Sequence, residues 1–156
     1  MRQFVTSSGG MVMVLLALSV VMTVSVAGCT ATKTSDRSIV YIDADEAAAV
    51  PQGRRGAFGM GREVKTAYLD ARPYSDYLEA RLPGAIFMPI ESARDESRRL
   101  REYDVLVVYG GDFNSVRADA LSKTLLELGH DVRTIRGGIR MWRSAGHPVE
   151  SGSPKN

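Results

Sequence analysis

Val105-Leu106-Val107-Val108 is an unbroken apolar run that passes through Tyr109 straight into Gly110 and Gly111. A strand with that pattern has no face left for water, so it belongs inside a parallel sheet covered on both sides. Leu121, Leu125 and Leu128 then recur at helical spacing, as the inner face of a helix whose start Asn114 or Ser115 can cap. Residues 105–121 therefore read as buried strand, tight glycine loop and helix start. Free N–H groups at such a start converge on one small concavity, which suits an anion.

The loop carries no cysteine, no serine-histidine pair and no clustered carboxylates. The single cysteine of the 156 residues is Cys29, far upstream. One cysteine excludes an internal disulfide, and with two histidines it offers no zinc set. No cofactor is implied. The formal net charge of +2 is too close to neutral for a nucleic-acid binder, and the arginines at 54, 55, 98, 99 and 101 read as solvated surface. The length allows one domain with a real core and a tail.

The chain opens with a polar stretch carrying Arg2. Residues 11–28, MVMVLLALSVVMTVSVAG, then hold no charge before Cys29, which is the layout of an export signal. Val26-Ala27-Gly28-Cys29 resembles the cleavage box of a bacterial lipoprotein. That resemblance implies removal of residues 1–28, a diacylglycerol on Cys29 and an acyl group such as palmitate on the new amino terminus. At roughly 0.8 kcal/mol per buried methylene, two or three chains hold a protein on a membrane without a spanning helix. The expected location is the cell envelope, facing the periplasm or exterior. Thr30 lacks the aspartate that retains many lipoproteins at the inner membrane, which favours an outer membrane where one exists. An uncleaved transmembrane anchor is the alternative, although about 18 apolar residues barely span.

Residues 29–38 form the lipidated cysteine and a small polar tether, residues 39–150 the globular domain, and residues 151–156 a disordered tail. Strands are expected at Ile39–Ile42, Thr66–Asp70, Ala85–Met88, Val105–Val108 and Val132–Ile135. Helices are expected over Asp43–Val50 and Tyr74–Ala80, a charged, solvated helix or turn over Glu91–Tyr103, then helices after the glycine loop and around Ile139–Ser144. Gly129 is placed to end the long helix in a left-handed cap. Residues 52–65 predict only an exposed loop. Strands alternating with helices at these spacings indicate α/β architecture with a parallel sheet.

Leu69-Asp70-Ala71-Arg72-Pro73, Tyr77, Leu82-Pro83-Gly84-Ala85, Gly129-His130-Asp131-Val132, Gly137-Gly138-Ile139 with Trp142, and Ala145-Gly146-His147-Pro148-Val149 occur in this order around the strand at 105–109. The ordered set resembles the rhodanese-like (sulfurtransferase) domain family. The resemblance implies a three-layer α/β/α fold with a five-stranded parallel sheet and an active-site loop after the fourth strand. In active members a cysteine begins that loop and carries sulfur as a persulfide; here Gly110 stands in its place. Shifting the register to Gly111 gives a spacing to Arg117 that resembles related dual-specificity phosphatases, again without a thiol. Arg81 stands where many members have a histidine.

Without a thiolate to attack and hold sulfur, the ordinary mechanism is ruled out. Asp70 and Arg72 resemble a structural pair near the loop. Asp112 reads as a turn aspartate rather than a nucleophile, and Ser115 as a cap. His130 and His147 sit at helix ends, Trp142 in the core, and Tyr109 in the core or pocket wall. The expected function is a binding or interaction module, a pseudoenzyme whose loop (Gly110, Gly111, Asp112, Phe113, Asn114, Ser115 and Arg117) receives a small anion or an envelope protein partner. The alternatives are a sulfur- or phosphate-handling enzyme using another group or a partner's thiol, and an envelope spacer or complex subunit.

Overall fold

A computed structural model describes residues 38–52 and 61–153. The leader, Cys29, the tether through residue 37, residues 53–60 of the loop and residues 154–156 lie outside the described residues. Strands β1 (Val40–Ile42), β2 (Thr66–Asp70), β3 (Ile86–Phe87), β4 (Val105–Tyr109) and β5 (Val132–Ile135) form one parallel sheet in the order β1-β5-β4-β2-β3. Every residue of β4 is buried. Its alternation explains why the run shows no polar face. Val105, Val107 and Tyr109 point into one core, Leu106 and Val108 into the other.

Helices α1 (Ala44–Ala49), α2 (Tyr74–Glu79) and α5 (Gly138–Ser144) supply side chains to the first core, among them Ala47, Tyr77 and Trp142. Helices α3 (Ala93–Leu100) and α4 (Val116–Glu127) supply Leu100, Leu121 and Leu125 to the second. Each fully buried Leu or Val stabilises the fold by roughly 1.5–3 kcal/mol, so the two cores together fix which face each helix covers. Asp43 starts α1 through a reciprocal cap: its Oδ1 accepts from the Glu46 N–H at 2.8 Å, and its own N–H donates to Glu46 Oε2 at 3.0 Å.

The structure corrects several expectations. The strand expected at 85–88 is ordered as a sheet pair only at Ile86 and Phe87, because β3 is an edge paired with β2 alone. Leu128 caps α4 from outside and is only half-buried, while the inner stripe of that helix is Ala118, Leu121, Ser122 and Leu125. Gly129 does take positive φ, 86°, and the His130 N–H reaches back to Leu125 O at 3.1 Å. Within the expected tail, Gly152 is bonded back to the domain. Arg81 and Glu150 form an antiparallel bridge with both backbone hydrogen bonds at 2.8 Å, and the Gly152 N–H donates to Leu78 O at 2.8 Å.

Candidate functional site

The loop after β4 lies at the carboxyl end of the parallel strands, where an α/β sheet leaves a crevice. Two helices meet it. From α5, Ile139 N–H donates to Gly110 O at 2.9 Å and Arg140 N–H to Gly111 O at 3.3 Å. That approach requires glycine at 138. Its φ is +54°, and a Cβ there would stand 2.1 Å from Gly110 O. On the other side α4 begins at Val116, and the Asp119 N–H bonds Ser115 O at 3.1 Å.

Ser115 occupies the N-cap position but makes no side-chain cap, contrary to the expectation for it or Asn114. Its side chain turns instead to Gly110. A Cβ built on Gly110 would lie 1.7 Å from Ser115 Oγ, 2.2 Å from its Cβ and 3.2 Å from Ala118 Cβ. The seat a side chain at 110 would use is thus already filled by the chain itself. At Gly111, by contrast, a Cβ would meet only Arg72 Cδ, at an ordinary 3.9 Å. Asp112 folds back to accept the Asn114 N–H at 3.0 Å, the aspartate turn expected from sequence. The Asn114, Val116 and Asp119 amides are therefore committed within the loop and helix start.

Phe113 is 58% exposed and Val116 78% exposed, on a loop otherwise made of small or polar groups. Beside Phe113 lies a depression of about 20 Å³, lined by Tyr41, Asp112, Asp119, Arg136 and Gly137, with room for about one water molecule. Its wall includes the Tyr41 hydroxyl, which donates to Asp119 Oδ1 at 2.8 Å. Partial burial and that bond push its pKa up to about 12. Arg117 is exposed, on the first turn of α4. Tyr41, Asp119 and Arg136 carried no signal in the sequence, because they arrive from β1, α4 and the end of β5.

Asp70 and Arg72 stand beneath the loop. Arg72 Nε and Nη2 bind the two oxygens of the fully buried Asp70 carboxylate at 3.0 and 2.7 Å, Nη2 also donates to Ala80 O, and the guanidinium lies 5.6 Å from the Tyr109 ring centre. Tyr109 accepts the Leu82 N–H at 3.2 Å. Burial first, then the charge and hydrogen bond of Asp70, push its pKa well above the ordinary tyrosine value. Each member of this group is spent on another, as expected of a scaffold pair. Neither histidine is brought to the loop: His130 Nε2 meets Ser97 Oγ at 2.9 Å and His147 Nε2 meets Asp45 Oδ1 at 2.8 Å.

The rhodanese-like domain description matches residues 59–145. The chain is 31% identical over 87 residues to the HTH-type transcriptional regulator Rv0324 of Mycobacterium tuberculosis, covering 55% of this chain and 38% of that protein. It is 32% identical over 130 residues to bovine thiosulfate sulfurtransferase, covering 63% of this chain and 41% of that protein. The chain thus spans about two fifths of the length of the curated relatives it matches. Among solved structures, the Anabaena Alr3790 protein superposes with a TM-score of 0.58 at 25% identity, over 72% of this chain and 94% of that one. A yeast protein, Ygr203w, described as a homologue of single-domain rhodanese and the Cdc25 phosphatase catalytic domain, gives 0.52 at 18% identity, over 70% and 83%, a likeness of fold alone. The match across 59–145 takes in β2 to β5, the loop and the whole of α5, and the chain belongs to the rhodanese-like domain family.

Proposed function

We propose that this rhodanese-like domain is a binding module that docks a protein partner on the face of its β4–α4 loop and does not transfer sulfur. The observation that carries the reading is the position of Ser115, whose hydroxyl fills the place a side chain at Gly110 would need. Sulfur transfer needs a thiolate able to attack and then hold the sulfur. Gly110 has no side chain, and the sequence's one cysteine is Cys29. Ser115 has no imidazole to take its proton, since both histidines are engaged elsewhere.

A protein partner is favoured over a small anion at this loop. The neighbouring depression holds about 20 Å³, and Asp112 already places its own carboxylate on the Asn114 amide. What the loop offers outward is Phe113 and Val116, apolar side chains of the kind that anchor interfaces. We further propose that Cys29 carries a lipid anchor in the cell envelope, supported by the apolar leader and the Val26-Ala27-Gly28-Cys29 box. Among the described residues no helix is long and apolar enough to cross a membrane.

A photo-crosslinking residue introduced at Phe113 in cells should give one discrete protein adduct, lost in a Val116→Asp background. The purified domain should show no thiosulfate-to-cyanide turnover above a loop-deleted control. Turnover by the unaltered domain, or the absence of any adduct dependent on Val116, overturns the reading. Cys29→Ser should abolish palmitate labelling and detergent-phase partitioning; retention of either overturns the anchor.

A further inference from the structure

A cavity much larger than the depression at the loop lies elsewhere in the domain. It holds about 480 Å³, a volume ordinary for small-ligand sites, and is lined by Tyr77, Arg81, Gly84, Glu150, Ser151 and Ser153, none of them in the 110–115 loop. Its wall contains an unusual imbalance of charge. The Arg81 side chain is 5% exposed, whereas that of Glu150, the carboxylate facing it, is 50% exposed. The two stand 3.8 Å apart, Nε to Oε2, which is too far for a hydrogen bond. The guanidinium otherwise donates through Nη1 to Gly152 O at 2.5 Å and Tyr77 O at 3.4 Å, and lies 4.8 Å from the Tyr77 ring centre. Carbonyls and a ring face soften the cost of a buried cation but leave its charge incompletely answered.

Other donors converge on the same space. The Gly84 N–H reaches Glu150 Oε2 only at 3.4 Å, a long bond, and Ser151 and Ser153 lie along the rim. A planar carboxylate entering the cavity meets a guanidinium held in place by the backbone and a weakly committed amide, with Tyr77 and Ala85 as an apolar wall for its organic part. Glu150, half in water, can swing out as the ligand takes its place.

We propose that this cavity binds the carboxylate of a small organic acid, with Arg81 as its charge partner and Glu150 as the resident group that the ligand displaces. The site is independent of the loop and of what the loop docks. Glu150 then competes with the ligand, and removing its charge strengthens binding, the reverse of what loss of a contact residue would do.

The probe is benzoate, titrated at constant ionic strength into the isotopically labelled protein, with neutral benzamide and inorganic sulfate as controls. Benzoate should move the amide signals of Gly84, Ser151 and Ser153 and leave those of Gly110–Ser115 in place; benzamide should move neither set. Glu150→Gln should tighten benzoate binding by about tenfold, and Arg81→Met should abolish it. Because Arg81→Met can fail to fold, Glu150→Gln decides the matter. Absence of benzoate binding in both the unaltered protein and Glu150→Gln overturns the proposal, as does unchanged affinity in Glu150→Gln. Shifts confined to Gly110–Ser115, or sulfate binding as tightly as benzoate, overturn it too.

Discussion

Two adjacent glycines face opposite consequences if given a side chain. At Gly110 the new Cβ would overlap Ser115 Oγ and Cβ at 1.7 and 2.2 Å, while at Gly111 it would find only Arg72 Cδ at 3.9 Å. Forcing extra atoms into a filled site costs about 1–3 kcal/mol. Gly110→Cys should therefore lower the unfolding free energy measured in urea by that amount, whereas Gly111→Cys should stay within about 0.5 kcal/mol of the unaltered protein. Adding Ser115→Gly to Gly110→Cys should restore most of the loss, since glycine is tolerated at an N-cap for a few tenths of a kcal/mol. Equal effects at 110 and 111 would mean that Ser115 does not hold the seat. The glycine at 110 was legible in the sequence, and so was the aspartate turn at Asp112. The occupant was not, because the rotation of Ser115 toward Gly110 depends on how the loop folds back and leaves no trace in spacing or polarity.

Among the elements, those buried on two faces were the most readable. The run at β4 declared itself because both cores need its side chains, and α4 did so through Leu121 and Leu125. The edge strand β3 has one neighbour, so its sequence is less constrained and its length was overread. The docking of α5 on the loop rests on Gly138, whose Cβ would strike Gly110 O at 2.1 Å and whose φ of +54° is itself unfavourable for other residues. Backbone strain of that kind costs about 1–3 kcal/mol before the collision is counted. Gly138→Ala should thus cost about 3 kcal/mol and redshift the emission of Trp142 on α5, whose indole N–H bonds Pro148 O at 2.8 Å. The contact of α3 with the turn after α4 is sensitive to pH instead. Burial, then the charge of Arg101, hold the His130 pKa below its ordinary value. Below about pH 6.5 the unfolded chain takes up a proton that the folded one resists, so stability present at neutral pH is lost as pH falls. A thermal midpoint that declines from pH 7 to 5, and declines less in His130→Gln, is the expected result. An identical slope in the two proteins would remove His130 as the cause.

For the whole molecule, the order β1-β5-β4-β2-β3 puts the carboxyl ends of all strands on one side, and the loop's place there followed from the alternation of strands and helices alone. The way the chain closes did not follow. Ser151, Gly152 and Ser153 have the composition of a tail, and nothing local distinguishes them from one. What fastens them is distant: Arg81, in the turn before β3, exchanges both backbone hydrogen bonds with Glu150 and donates a third from its side chain to Gly152 O, and Leu78 O takes the Gly152 N–H. A chain ending at Val149 would lose all of these and leave the Arg81 charge buried without its carboxylate. At roughly 1 kcal/mol for each of the four hydrogen bonds, the truncation should cost about 4 kcal/mol before the uncompensated charge is added. The urea midpoint should fall accordingly while the slope of the transition stays the same, because the cores behind the bridge remain intact. A loose tail predicts no change at all in the midpoint, so the same titration separates a fastened strap from an idle end.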